Sequence, residues 1–575
     1  MPSGIRVWAP IAGRAEVVAG DRRTPMSREA GGWFAAAPGA AAADGTYLIS
    51  LDGGEAHPDP RSAFQPAGVH GPSRLVDHSR FGWTDQAWQG IPLADVVIYE
   101  VHVGTFSEAG TFDGVADRLP HLVELGVNAL ELMPVATFPG DRGWGYDGVD
   151  LFAPHPAYGG PEGLKRLVDA CHREGIAVVM DVVYNHLGPD GNYLGEYGPY
   201  FTDIYKTPWG AALNFDGPDS DEVRRFFVDN AVTWLRDYHC DGLRLDAVHA
   251  ILDTSAVHVL EQLQVEVRAV EVEVGRPLWL IAESDANDPR VVSSVENGGF
   301  GLDAQWSDDF HHALHAVLTG ERSGYYEDFG SFADVATALT QAYVYAGRYS
   351  KYRRRTHGRL PEGLPGQAFL GYIQDHDQVG NRARGDRIST LVSPGLCRVA
   401  AALVIFSPFT PLLFAGEEWA ASTPFLYFTD HRERDLARAV RRGRRQEFAA
   451  FGWAPEDIPD PQASATFEAS RLRWDELADE PHAAMLAWYR ELLGLRRREA
   501  GLRDGRMDEV TVRYDEAARW LIVRRGNMAL GCNLGPDRVR LELAGTVLLA
   551  STPGAVTRDG LLELPAESAA VVRSD

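Results

Sequence analysis

Between residues 91 and 500, short apolar runs alternate with helical patterns eight times, and few folds accommodate that rhythm. The runs are VVIYEVHVG (96–104), VNALELMPV (127–135), IAVVMDVVYNH (176–186), GLRLDAVH (242–249), LWLIAES (278–284), LDAQWS (302–307), AFLGYIQDHD (368–377) and PLLFAGEE (411–418). Apolar strands joined by crossover helices predict a parallel sheet covered on both faces, and eight such units predict an α/β fold closed as a (β/α)8 TIM barrel. LDAQWS carries the weakest strand signal. The segments between the runs support helices. In PEGLKRLVDACHREG, Leu164, Leu167, Val168 and Cys171 recur at helical spacing, with Pro161 suited to the first turn and Gly175 to the stop. In DSDEVRRFFVDNAVTWLRDYH, Phe227, Ala231, Trp234, Leu235 and Tyr238 make a similar stripe, and Asp219, Asp221 and Glu222 stand where they favour the helix dipole.

The flanks read differently. Residues 1–90 hold short alternating runs (IRVWAP, AEVVAG, GWFAAAP, GTYLISLDG) cut by Gly, Pro and Asp, which predicts an N-terminal β-sandwich. Residues 501–575 predict a second, C-terminal β-sandwich domain, reached through the amphipathic helix 482–500. Two excursions interrupt the barrel: an insertion at 187–218, read as a long loop, and an extension at 419–480. The extension contains DHRERDLARAVRRGRRQEF, read as a solvated helix face.

Composition narrows the partners. Lys+Arg 55 against Asp+Glu 81 gives a formal charge of −26, which repels nucleic acid and anionic membranes and suits a neutral substrate. Cys171, Cys240, Cys397 and Cys532 form no CxxC pair or metal-ligand spacing and read as small buried hydrophobes. The first residues lack a secretory pattern, and the run 399–416 is short and broken by Pro408 and Pro411, so it reads as a buried helix and strand. The expectation is a soluble cytoplasmic protein with no cofactor and no metal.

Reactive groups of such barrels gather at the C-terminal ends of the strands. There the third run supplies Asp181, Asn185 and His186, the fourth Arg244, Asp246 and His249, the fifth Glu283, and the seventh Asp375, His376 and Asp377. Carboxylates converging on one mouth repel one another and lose water, so a function is the economical reason for them. Two carboxyl groups can cleave a glycosidic bond, one acting on the anomeric carbon and one protonating the departing oxygen. Asp246 follows Arg244 by two residues, so both point to one side of the strand, and a guanidinium there suits a nucleophile. Glu283 emerges from the apolar run LWLIA and suits the proton donor. Asp377 is placed to grip sugar hydroxyls as the ring flattens.

DVVYNH (181–186), GLRLDAVH (242–249), IAES (281–284) and QDHDQVGNR (374–382) resemble the four best-known segments of the α-amylase family, glycoside hydrolase family 13, in order and on the matching strands. The resemblance implies Asp246 as nucleophile, Glu283 as acid/base and Asp377 as transition-state stabiliser. It also implies that Arg244, His186 and His376 line the subsite of the reacting glucose, with Tyr146 stacked on that sugar. One departure is visible: Asp375 stands where the family usually has Asn, which puts the pH profile in question.

Within that family the likeness is greatest to members that release trehalose from the end of an α-1,4-glucan. It is carried by GPDGNYL, AQWSDDFHHALHAVLTGE, LLFAGEEWAASTPFLYFTDH and FGWAPEDIPDPQASATFEASRLRW. What this implies is a retaining hydrolase of trehalose biosynthesis, a monomer or homodimer, with maltooligosyltrehalose synthase as its pathway partner. Tyr146, Trp209 and Trp306 are the expected sugar platforms, and Asp308 and Asp309 are expected to reach the trehalose side. Two other readings stand beside it: a glycogen branching or debranching enzyme of the same family, and a catalytically inactive glucan-binding relative.

Overall fold

The computed structural model describes residues 4–449, 454 and 457–574. Eight parallel strands close into a barrel in chain order. They are β1 Ile98–Val101, β2 Ala129–Leu132, β3 Ala177–Val182, β4 Gly242–Leu245, β5 Trp279–Ala282, β6 Ala304–Trp306, β7 Phe369–Gly371 and β8 Thr410–Phe414. All eight expected runs contribute a strand, the weak sixth included. Every residue of these strands is buried, so their sequences read as continuous apolar runs with little alternation.

The helices that matter to the site are α1 Gly160–Arg173, α2 Ser220–Val232, α3 Asp308–Thr319, α4 His376–Gly380, α5 Pro394–Phe406, α6 Arg434–Ala449 and α7 His482–Arg498. In α1 the stripe Leu164, Leu167, Val168 and Cys171 is fully buried, and Gly175 beyond its end takes φ 76°. The insertion after β3 is more ordered than a loop. It contains a helical turn, Leu194–Tyr197, and an antiparallel hairpin of Phe201–Thr207 with Gly210–Leu213. Gly210 at φ 134° and the Thr207 hydroxyl donating to its carbonyl (2.9 Å) close the hairpin tip and leave Trp209 exposed on it. A two-residue tip of Pro208 and Trp209 gave no hairpin signal in the sequence.

Before the barrel, two antiparallel sheets (6–8 with 33–35 and 27–28; 22–25, 15–19, 46–51 and 56–57) form the expected β layer. After it, a five-stranded antiparallel sheet lies on a three-stranded one, and Ile522, Ala529, Leu541, Leu562, Ala570 and Val572 fill the space between them. This last unit docks on the barrel through buried arginines. Arg525 donates to the carbonyls of Phe406 and Ser407 (2.7 and 2.8 Å), just past α5, and Arg496 of α7 donates to those of Ile405, Ser407 and Phe409 (2.6, 3.0 and 2.8 Å). The four cysteines are buried and free. Among the described residues no helix is long and apolar enough to cross a membrane.

Candidate active site

Side chains inside the barrel change character from bottom to top. The lower rows are apolar: Ile98, Ala129, Ala177, Val179, Trp279, Ile281 and Ala304 form a core of their own. Two residues further along the same strands the inward positions are Glu100, Glu131, Asp181, Arg244 and Glu283. Parallel register sets Glu131 beside Glu100 and Asp181 beside Arg244. Above this row opens a cleft of about 900 Å³ whose lining includes Tyr146, Asp246, Glu283, His376 and Asp377. The site thus rests on rigid strands, with an apolar plug beneath it that keeps water out from below.

Arg244 is the hub. Its Nη1 donates to both oxygens of Asp181 (3.0 Å each) and to Oδ1 of Asp246 (2.8 Å), and its Nη2 lies 3.7 Å from Oε2 of Glu283. Asn185 donates from Nδ2 to Oδ2 of Asp246 (2.6 Å), so both oxygens of that carboxylate are held. Burial pushes Asp181 up to about 6 against the opposing pull of Arg244. The Asp181 carboxylate also accepts the Tyr146 hydroxyl (2.6 Å), which lies 2.8 Å from Nε2 of His376. His376 contacts Glu100 through Nδ1 and donates its backbone N–H to the same carboxylate (3.0 Å). Burial alone would lower the imidazole, but Glu100 and Asp377 hold it up to about 10, so His376 is a cation across the neutral range. Hydrogen bonds therefore run without a break from Glu100 to Asp246.

Glu283 is held differently from Asp246, with Arg244 farther away (3.7 Å against 2.8 Å). Burial, joined by the charge of Asp246, drives its carboxyl well above the usual range, with Arg244 opposing. Its close partner is the backbone N–H of Ala247, which donates to Oε2 (2.5 Å). Ala247 takes φ 40°, a left-handed conformation that costs a non-glycine residue of the order of 1 kcal/mol. The strain aims the N–H that follows Asp246 at Glu283 and ties the two carboxyl groups together. One carboxylate gripped by a cation and one kept protonated by desolvation is the pair that acid-assisted displacement at an acetal requires.

Asp377 lies in the first turn of α4, whose N-cap is Asp375. Oδ1 of Asp375 accepts the N–H groups of Asp377 (2.8 Å) and Gln378 (3.3 Å), as an Asn oxygen would. Its second oxygen is buried and makes no hydrogen bond among the described residues. Burial, then the nearby Glu100, pushes the Asp375 carboxyl well above its usual range. Burial thus favours the protonated acid, which is close in shape to the amide it replaces and in that form adds no charge beside Asp377.

The outer residues divide. Tyr146 is half-buried at the cleft wall, its ring stacked on His376 (5.3 Å, 23°). His186 receives Trp209 from the insertion hairpin as a parallel ring (5.4 Å, 19°). Trp306 is at the floor, but its face is taken: it is 1% exposed and the Arg244 guanidinium lies 4.4 Å from its ring centroid. It backs the arginine and, although it is among the residues lining the cleft, presents almost no surface to a sugar, against the expectation of a platform. Asp308 lines the cleft, accepts the Tyr372 hydroxyl (2.5 Å) and is pushed up by burial to about 7. Asp309 does not reach the cleft. It is 3% exposed and accepts from Asn287 Nδ2 and the N–H groups of Val344 and Tyr345 (2.8, 2.6 and 2.7 Å), fixing a loop. Neighbouring positions on a helix point about 100° apart, so Asp308 and Asp309 could not share a target. His249 lies at the rim, 3.8 Å from Asp285, which accepts from Arg353 (2.9 Å).

The charged stretch also held a site residue. Most of α6 is exposed as expected, yet Arg444 turns into the cleft between the rings of Tyr427 and Phe448 (5.1 and 4.5 Å). Val440, Arg444 and Phe448 recur every four residues, a face that was legible but masked by the surrounding arginines. The FGWAPED part of the quoted DPQ segment lies largely outside the described residues.

A closed barrel with this carboxyl pair at its mouth defines a glycosidase of the α-amylase class. Comparison with known proteins agrees: the family described as "Alpha amylase, catalytic domain" matches residues 79–205, and a domain of unknown function, DUF3459, matches residues 505–571. The chain is 49% identical to the malto-oligosyltrehalose trehalohydrolase of Arthrobacter ramosus and 48% identical to that of Mycobacterium tuberculosis, over 99% of this chain and of each relative. A crystal structure described as a putative α-amylase from Salmonella typhimurium superposes with a TM-score of 0.90 at 39% identity, covering 100% of this chain and 97% of the other. The chain belongs to the malto-oligosyltrehalose trehalohydrolase family.

Proposed function

We propose that this enzyme hydrolyses the α-1,4 bond next to the trehalose end of a maltooligosyl trehalose, with retention, releasing trehalose and a maltooligosaccharide. Asp246 attacks the anomeric carbon while Glu283 gives its proton to the departing trehalose oxygen, which breaks the glycosidic bond and leaves a glucosyl ester on Asp246. Glu283, now a carboxylate, takes a proton from water, whose oxygen attacks the same carbon and frees Asp246. Asp377 grips the sugar hydroxyls as the ring flattens. Tyr146, His186, Arg244 and His376 surround the reacting glucose, Trp209 stacks on a neighbouring one, and Asp308 is the residual candidate for the trehalose side.

The observation that carries this reading is near-full-length identity to trehalohydrolases in a chain whose Asp246, Glu283 and Asp377 line one cleft. The reading extends to a soluble cytoplasmic enzyme working beside a maltooligosyltrehalose synthase, as a monomer or homodimer. Domain limits at about residues 90 and 500 belong to the same proposal. Product analysis tests it. Incubation with maltotriosyl trehalose is expected to give trehalose and maltotriose quickly, with slow attack on maltopentaose. Longer or branched products would instead mark a transferase, and binding without turnover an inactive relative.

A further inference from the structure

Of the three carboxyl groups, Asp377 is held least firmly by its neighbours. Asp246 is fixed on both oxygens and Glu283 by a 2.5 Å bond from the backbone. Asp377 has a side chain 47% exposed to the cleft. Among the described residues its polar side-chain contacts are one long hydrogen bond from Nδ2 of Asn381 to Oδ1 (3.3 Å) and His376 Nε2 at 3.5 Å. Whatever sets the Asn381 carboxamide therefore bears on Asp377, alongside His376.

An amide has two ends of similar size and opposite polarity, and only its partners decide which way it faces. Arg444 makes that decision. Its Nη1 donates to Oδ1 of Asn381 (3.0 Å) and its Nη2 to the carbonyl of Gly380 at the end of α4 (2.5 Å). With the oxygen claimed by a guanidinium, Nδ2 must face Asp377. Without the guanidinium, the amide can turn and set its oxygen against a carboxylate, a repulsive contact. The guanidinium is itself fixed. Tyr427 and Phe448 flank it, Glu447 accepts from Nη1 (3.1 Å), and its side chain is 10% exposed. Gly380 has no latitude either, since a Cβ there would lie 2.1 Å from the Trp144 ring.

We infer that Arg444, carried by the extension after β8, is a positioning residue for Asp377 and acts through the polarity of the Asn381 amide. The inference rests on the reading of Asp377 as the transition-state stabiliser, and it gives the extension a part in the chemistry as well as in walling the cleft.

The test is a double-mutant cycle on the full-length enzyme: Arg444→Ala, Asn381→Ala and the pair, assayed for trehalose release from maltotriosyl trehalose. Arg444→Ala is expected to lower kcat by about 10- to 100-fold with KM within about threefold. The pair should be no worse than Asn381→Ala alone, because both changes break one device. Added guanidinium salt at non-denaturing concentration should restore part of the Arg444→Ala activity and none of the Asn381→Ala activity. Melting temperatures and the neighbouring exposed Arg445→Ala serve as folding controls. Additive losses, a rise in KM with kcat unchanged, or a fall in kcat that only tracks a lower melting temperature would overturn the inference. Asp377→Ala separates the two levels. If it stays active, the reading of Asp377 fails; if it is inactive while Arg444→Ala keeps full kcat, only the positioning role fails.

Discussion

The floor of the cleft and its rim are built by opposite rules. On the floor, Arg244, Asp181 and Asp246 come from strand ends or the residue directly after one and His376 from the first residue of α4; they are buried or nearly so and joined by hydrogen bonds, His376 through the Tyr146 hydroxyl. At the rim, Trp209 sits on a hairpin tip with 47% of its surface exposed, and Arg444 reaches in from a helix beyond the last strand. The floor holds fixed charge where the bond breaks; the rim supplies rings and long side chains where a chain of sugars must enter and leave. A floor of this kind is costly to disturb, because each group compensates another, while a rim residue can be removed with its neighbours intact.

Four measurements sharpen that contrast. Asp246→Ala is expected to reduce kcat by about 10⁴-fold or more while circular dichroism and melting stay close to wild type, since a nucleophile is lost and no core volume. Glu283→Gln should cost about 10²- to 10⁴-fold on the natural substrate and much less on an α-maltosyl fluoride, whose leaving group needs little protonation. Its acid form is the working one, and burial raises its pKa. Activity of the wild type therefore falls as pH rises through that raised value, and this alkaline limb should vanish from the pH profile of Glu283→Gln. Equal losses on both substrates would remove Glu283 from the acid role. At the rim, Trp209→Ala should raise KM about three- to tenfold with kcat within about twofold, the scale of one stacking contact. An unchanged KM would make the hairpin a wall only.

The smallest effect belongs to the floor and concerns stability. Glu131 is fully buried, neither oxygen makes a hydrogen bond among the described residues, and burial together with Glu100 pushes its carboxyl well above the usual range. Its folded pKa lies above its unfolded one, so its favourable contribution is complete below the unfolded value and is lost as pH rises toward the folded one. Glu131→Gln should therefore raise the melting temperature at pH 8 relative to wild type, by the order of 1 °C, and change it less at pH 5. A larger gain at pH 5 would reverse the sign assigned to Glu131.

What the sequence revealed follows the same division. The barrel was legible because buried parallel strands leave continuous apolar runs, and the three carboxyl groups because each follows its run within a few residues. Trp306 misled because a sequence can place a ring at the mouth but cannot say that a guanidinium covers its face. Asp309 misled because two adjacent acids look alike until the helix phase separates them. Arg444 was missed because arginines surround it, and only its neighbours in space, Tyr427 and Asn381, single it out. The hairpin that carries Trp209 had no turn signature beyond Gly210.

The buried arginines between the barrel and the C-terminal sheets carry a lesson about modularity. Carbonyls of residues 405, 406, 407 and 409, on the approach to β8, take their donors from Arg496 and Arg525. Cutting the chain before residue 525 would take the Arg525 donor from the carbonyls of Phe406 and Ser407, directly behind a strand of the barrel, and leave Arg496 to serve Ile405, Ser407 and Phe409 alone. The last sheets are thus a keystone of the catalytic unit and not an appendage, and a chimera exchanging them between relatives must keep an arginine at position 525 of the graft, beside Arg496 of α7.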